Sequence, residues 1–207
     1  MIDKKAAKAV DQAIKVLNKY ILESDKISNE RKDQVNNVLE VLGERLFTAP
    51  ASTKTAMHSA YPGGLIVHSL AVTRRIFDLC GAFEVSEEDV PHDSKVIVGL
   101  FHDIGKIGTY DGIPQYMPEE SEWHRTKLGQ IYNYNKNLDD ALTHAQRSAR
   151  LLGQCGLILT DQEYASILIH DGIYIETNKS REAMYTKIKL ARIAHFADSW
   201  VALQEDI

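Results

Sequence analysis

Cysteine is almost absent from this chain, with two among 207 residues. Cys80 and Cys155 both fall inside apolar helical patterns. They read as buried thiols rather than a disulfide framework, which suits a cytoplasmic location. No apolar run approaches the roughly 18 residues of a membrane-crossing helix. The opening Met1-Ile-Asp-Lys-Lys leads into an amphipathic segment and lacks a signal peptide's apolar core. A basic excess is missing too: 24 Lys and Arg stand against 29 Asp and Glu, for a net charge of −5. That argues against a general nucleic-acid coat protein. It leaves room for a nucleotide or short oligonucleotide held by a metal and a few local basic groups.

What is present is an ordinary globular composition, 44% hydrophobic and 26% charged, at a length that suits one domain with a small appendage. Residues 3 to 23 carry Ala6, Val10, Ala13, Ile14, Leu17 and Ile21 at helical spacing. Ser28 is placed to cap a second helix with Val35, Val38, Leu39, Val41, Leu42 and Leu46 on its inner face. Residues 1–48 therefore read as an α-hairpin packed on a main domain, 49–207. Phe47 to Gly64 is polar and broken by Pro50, Pro62, Gly63 and Gly64, so it is a loop; it holds Lys54, His58 and Tyr61. A helix is expected from Leu65 to about Phe83, with His68 on its apolar stripe. Ser94 is expected to open a buried helix through Val96-Ile97-Val98-Gly99-Leu100-Phe101, which ends in His102-Asp103.

Residues 107–138 break the helical pattern with Gly108, Gly112, Pro114 and Pro118. The stretch Trp123 to Tyr134 alternates loosely, and a small β-hairpin inserted between helices is predicted. Its Tyr116, Trp123, Arg125, Lys127, Tyr132 and Tyr134 suit base stacking and phosphate contact, or simply an exposed hairpin. A helix over 139–155 places His144 beside its inner stripe and Arg147 one turn on. Thr160-Asp-Gln-Glu163 is a capping box whose helix ends in a second His-Asp-Gly, at 170–172. The last helix, about Glu182 to Leu203, carries Asp198 among apolar residues, where Arg192 or His195 is the competing structural partner.

His68, His102, Asp103, His144, His170 and Asp198 thus lie on five separate apolar helices. Burying ionisable groups is costly unless something compensates them, and a cation does so directly. Histidine and aspartate without cysteine suit one or two divalent ions (Mn, Fe, Co, Zn, Ni or Mg). His68, His102, Asp103 and Asp198 would fill one site. Asp103 could bridge to a second ion held by His144 and His170. Such ions lower the pKa of water and clamp phosphoryl oxygens, and Lys106 could stabilise charge developing there.

The order His68, His102-Asp103, Asp198 resembles the HD-domain metal-dependent phosphohydrolase superfamily. Phe47-Thr-Ala-Pro-Ala, Met57-His58 and Gly63-Gly64-Leu65 with His68-Ser69-Leu70 is similar to the segment that opens HD hydrolases related to 3′–5′ exoribonucleases of the YhaM type. His102-Asp103-Ile104-Gly105-Lys106 matches the HD-x-G-K form of the motif. Two features depart from that type: His170-Asp171 stands where it usually has His-His, and its N-terminal OB-fold is absent. The resemblance implies an all-α HD-domain helical fold with the small inserted β-hairpin. It implies a phosphodiesterase or exonuclease-like enzyme that cleaves a phosphoester of a nucleotide or short oligonucleotide by metal-bound hydroxide. Asp103 and Lys106 would be catalytic. His58, Arg147, Lys54 and Tyr61 would bind substrate. A nucleoside mono- or triphosphate hydrolase and a non-catalytic nucleotide-sensing module are the alternatives. No membrane partner is expected, and homo-oligomerisation stays open.

Overall fold

The computed structural model describes residues 4–21, 23–138 and 141–204. Within them the chain runs α1 (Lys4–Ile21), α2 (Asn29–Thr48), α3 (Gly64–Ala82), α4 (His92–Phe101), a 3-10 turn (Ile104–Ile107), β1 (Tyr116–Pro118), α5 (Glu122–Leu128), β2 (Tyr132–Tyr134), α6 (His144–Gln154), α7 (Asp161–Leu168), a second 3-10 turn (Glu176–Arg181), α8 (Glu182–Lys187) and α9 (Lys189–Gln204). The architecture is mostly helical with a single two-stranded sheet, as the periodicity requires.

α3 is the central element, in contact with α1, α2, α4 and α9. Its interior face joins Leu65, Ile66, Val72 and Ile76 to one continuous apolar core that also takes in Leu17 of α1, Leu42 of α2, Ile97 of α4 and Ala197 of α9. α3 and α4 approach so closely that a Cβ at Gly99 would stand 2.6 Å from the Thr73 Cα. Only glycine allows that approach, and it draws the end of α4 toward His68.

The helix ends follow their local chemistry. The Ser28 side chain caps α2, accepting from the Arg31 N–H. Thr160 and Glu163 form the reciprocal capping box of α7, and Thr143 with Gln146 forms one on α6. Glu163 is wholly buried. It accepts from the Arg31 guanidinium at 2.5 Å and the Ser94 hydroxyl at 2.8 Å, which ties α2, α4 and α7 together.

Several boundaries differ from the periodic reading. The expected last helix breaks at Ile188, whose extended backbone (φ −101, ψ 111) separates α8 from α9. α6 starts at His144 rather than 139 because Thr143 caps it there. Trp123 to Leu128 is helical, not strand: Ser121 accepts from the His124 N–H and starts a turn that outweighs the β-favouring composition. The hairpin is real but consists of two three-residue strands flanking α5, paired antiparallel as Tyr116–Tyr134, Met117–Asn133 and Pro118–Tyr132. Val41 and Ile14 are exposed, on the outer edges of their stripes. The side chains of Ala6, Val10 and Ile21 lie outside the described residues.

Removing the Arg31 guanidinium leaves a buried carboxylate without its cation. Arg31→Met should therefore cost about 3 kcal/mol or more in urea unfolding. A loss below about 0.5 kcal/mol would show that the pair behaves like a solvated surface bridge.

Candidate metal centre

Five segments deliver the ionisable groups. α3 carries His68 near its N-terminal end. α4 ends at Phe101, so that His102 caps it and Asp103 leads into the 3-10 turn. α7 ends at Leu168, two residues before His170. α6 begins at His144, directly over that turn. A Cβ at Gly105 would fall 2.0 Å from the His144 carbonyl oxygen, so glycine lets α6 seat there. α9 brings Asp198 from the far end of the chain.

His102 and His170 use the same device. Each ring donates from Nδ1 to the carbonyl three residues back, Gly99 at 2.9 Å and Ile167 at 2.7 Å. A carbonyl can only accept, so Nδ1 carries a proton and Nε2 is the ring atom turned inward. That is the orientation by which proteins set a metal-ligating imidazole.

The inward atoms form two groups that share Asp103. In the first, His68 Nε2 lies 2.9 Å from Asp198 Oδ1 and 3.8 Å from Asp103 Oδ2. His102 Nε2 lies 3.7 Å from Asp198 Oδ1 and 3.6 Å from Asp103 Oδ2. In the second, Asp103 Oδ1 lies 3.2 Å from His144 Nε2 and 3.3 Å from His170 Nε2. Asp171 completes it, 3.3 Å from His144 and 3.6 Å from His170. Ligands bound at about 2.1 Å sit roughly 3.0–4.2 Å apart around one ion, and these spacings match. Asp103 turns one oxygen to each group.

Three further observations fit a cation. His102 Nε2 is buried and makes no hydrogen bond, although two carboxylates face it. His144 and His170 set their Nε2 atoms 3.2 Å apart, which requires a proton or an ion between two lone pairs. Asp103, Asp171 and Asp198 bring three carboxylates together, and the Lys106 ammonium pairs with Asp103 Oδ2 at 2.6 Å. A divalent ion held there would add positive charge among them.

The protonation equilibria carry the same imprint. Burial would raise the Asp103 carboxyl, but Lys106 and His102 hold it well below the usual range. Burial likewise opposes ionisation of Asp198, and His102 and His68 again prevail. Burial would lower His170, yet Asp171 and Asp103 push it up to about 10.

All six expected metal ligands converge. His58 comes with them: its ring stacks on His68 at 4.6 Å, and burial with the neighbouring His68 pushes it down to about 4. Tyr61 is half-buried in the same loop, and Lys54 is exposed. Arg147 does not face the centre. It is buried, and its guanidinium donates to Gly105 O, Gln115 Oε1 and Leu142 O, holding the turn and the insertion together. Nor does Asp198 need Arg192, which is exposed, or His195, whose Nδ1 donates to His170 O. Asp171 is the ligand that the sequence reading leaves out. Its signal is the repetition of His-Asp after an apolar run.

A cavity of about 690 Å³ between α1 and α3, lined by Val16, Lys19, Leu70, Arg74 and His92, contains none of these groups. No family model, curated protein or solved structure matches this chain.

After chelation, titration with Mn²⁺ should show two ions per chain. Asp171→Ala should weaken the second at least about tenfold, or ~1.4 kcal/mol, and spare the first; Asp103→Ala should weaken both. A wild-type chain that takes up no metal would remove the centre. In the metal-free protein, a His170 raised above its unfolded value contributes stability that is complete below about pH 6.5 and lost toward pH 10. Chelated protein should therefore become less stable across that window, as followed by thermal unfolding at each pH.

Proposed function

We propose that this chain is an HD-type, divalent-metal-dependent phosphohydrolase that cleaves a phosphoester of a nucleotide or short oligonucleotide, with phosphodiesters preferred. The observation that carries this reading is Asp103, whose two oxygens face two separate histidine groups. That arrangement suits the donor set of a paired-ion centre, and one principal use of such centres is in-line displacement at phosphorus. When bound, the ions supply a water acidic enough to deprotonate near neutral pH and neutralise phosphoryl oxygens.

The side chains do the rest. His102 and His170, fixed by their Nδ1 hydrogen bonds, hold their Nε2 atoms still while charge redistributes. Lys106 keeps its proton, since burial is outweighed by Asp103, and so presents a permanent cation beside the centre. Its ammonium is placed to offset charge building on a phosphoryl oxygen. His58 stays neutral at physiological pH, and its buried Nε2 makes no hydrogen bond. It is therefore available to a substrate or leaving-group oxygen. The apolar wall beneath, Ile97, Leu100 and Phe101, is fully buried and keeps bulk water from the rear of the site.

The test is hydrolysis of a mixed panel by manganese-loaded protein, with Asp103→Ala as control. The panel holds short RNA and DNA oligomers, cyclic mono- and dinucleotides, and nucleoside mono- and triphosphates. Release of mononucleotides or linear products, lost in the variant, is the expected result. Turnover of one free nucleotide alone would move the assignment to a nucleotidase. Tight binding without turnover would move it to a sensing module. Lys106→Met should lower kcat by about 10²-fold or more, in the range seen when one charge-stabilising donor is lost.

A further inference from the structure

The insertion is fastened to both sides of the metal centre. At its root, Arg45 donates to Thr109 O at 2.5 Å and Tyr110 O at 3.1 Å. Arg147 joins Gln115, the residue before β1, to Gly105 of the His-Asp turn, at 2.6 and 3.3 Å. At its far end, the Ile131 and Tyr132 N–H groups donate to Thr53 O at 2.8 and 3.0 Å, and Thr55 N–H donates to Gly129 O at 2.8 Å. Those partners belong to the loop that carries His58. The two-stranded ribbon thus hangs between the Lys106 turn and the His58 loop.

Side chains alternate across a strand pair. The register Tyr116–Tyr134 and Pro118–Tyr132 puts three tyrosines and a proline on one face, and Met117 and Asn133 on the other. Tyr116 and Tyr132 are half-buried, whereas Met117 and Asn133 on the opposite face are exposed. The tyrosine face is therefore the inner one of a ribbon anchored between the His-Asp turn and the His58 loop. Tyr134 packs on Tyr116 with ring centroids 5.4 Å apart, yet remains 65% exposed. The aromatic surface runs outward from the half-buried Tyr116 to the open ring of Tyr134.

Other side chains of the insertion make local contacts. Arg125 donates to Glu119 O and Glu120 O and closes the start of α5. Trp123 sits on α5 against His124. Strand residues on the tyrosine face carry no cation, so that surface suits a planar apolar group rather than a phosphate.

We propose that the Tyr116–Tyr132–Tyr134 face of the ribbon is a nucleobase-stacking subsite that positions a base-bearing phosphoester against the metal centre. This rests on the phosphohydrolase reading and adds the substrate's recognition element. Stacking on an aromatic side chain tolerates any base. Lys106 and the metal ligands meet the phosphate, and the ribbon meets the base.

The test compares binding of adenosine 5′-monophosphate and ribose 5-phosphate to the manganese-loaded full chain by calorimetry. The nucleotide should bind about 5-fold or more tighter, the low end of one base–aromatic stack. Tyr134→Ala should abolish the difference and leave ribose 5-phosphate affinity unchanged, and Tyr134→Phe should restore it. Because Tyr134 is exposed, neither substitution threatens the fold. Equal affinity of the two ligands for the wild-type chain, or a difference that survives Tyr134→Ala, overturns the subsite while the phosphate reading stands. Binding of neither ligand to a chain that holds its metal overturns both.

Discussion

Asp103 is a carboxylate with 1% exposure just beyond the apolar run Val96–Phe101 that ends α4, and both of its oxygens face histidines. A charge in such a place is tolerable only with compensation on every side. Much of the surrounding geometry follows from that need. Lys106 comes back over it through a 3-10 turn, α6 arrives with His144, α7 ends at His170, and α3 supplies His68. Gly99 and Gly105 permit the close approaches that bring α3 and α6 into range. The carbonyl contacts of His102 and His170 then decide which nitrogen each ring offers.

The apolar core and the polar centre are two sides of one packing arrangement. Ile97, Leu100, Phe101 and Ile104 are fully buried beneath the His-Asp turn. A rigid floor of this kind holds ligand atoms at fixed spacing before any ion arrives, which favours binding over rearrangement. The Arg31–Glu163–Ser94 network performs a related task one layer back, fixing α7 against α4 so that His170 meets His102. The insertion is anchored at both ends, to the His-Asp turn through Arg147 and to the His58 loop through Thr53.

Legibility differed by residue. His68, His102, His144, His170 and Asp198 stood out because each is polar on or beside an apolar helical stripe, an anomaly visible without coordinates. Asp171 was passed over although it repeats the His-Asp pattern of 102–103, because a carboxylate just past a helix end also reads as a solvated turn residue. Arg147 looked like a substrate contact from its place one turn beyond His144. Packing instead buries it against Gly105, Gln115 and Leu142. Composition misread Trp123 to Leu128, since a single serine cap outweighed several β-favouring side chains. The break at Ile188 left no proline or glycine to announce it.

Sequence alone determined the helical class, the helix starts set by Ser28 and Thr160, and the list of buried ionisable groups. These depend on local periodicity and local hydrogen bonding, which neighbouring residues carry. The tertiary structure alone decided that Asp171 joins the second histidine group, that Arg147 turns away from the centre, and that the tyrosine face of the ribbon is its inner one. Those facts concern atoms brought together from residues far apart in the chain. Their spacing is set by how helices seat on one another, and no local pattern records it.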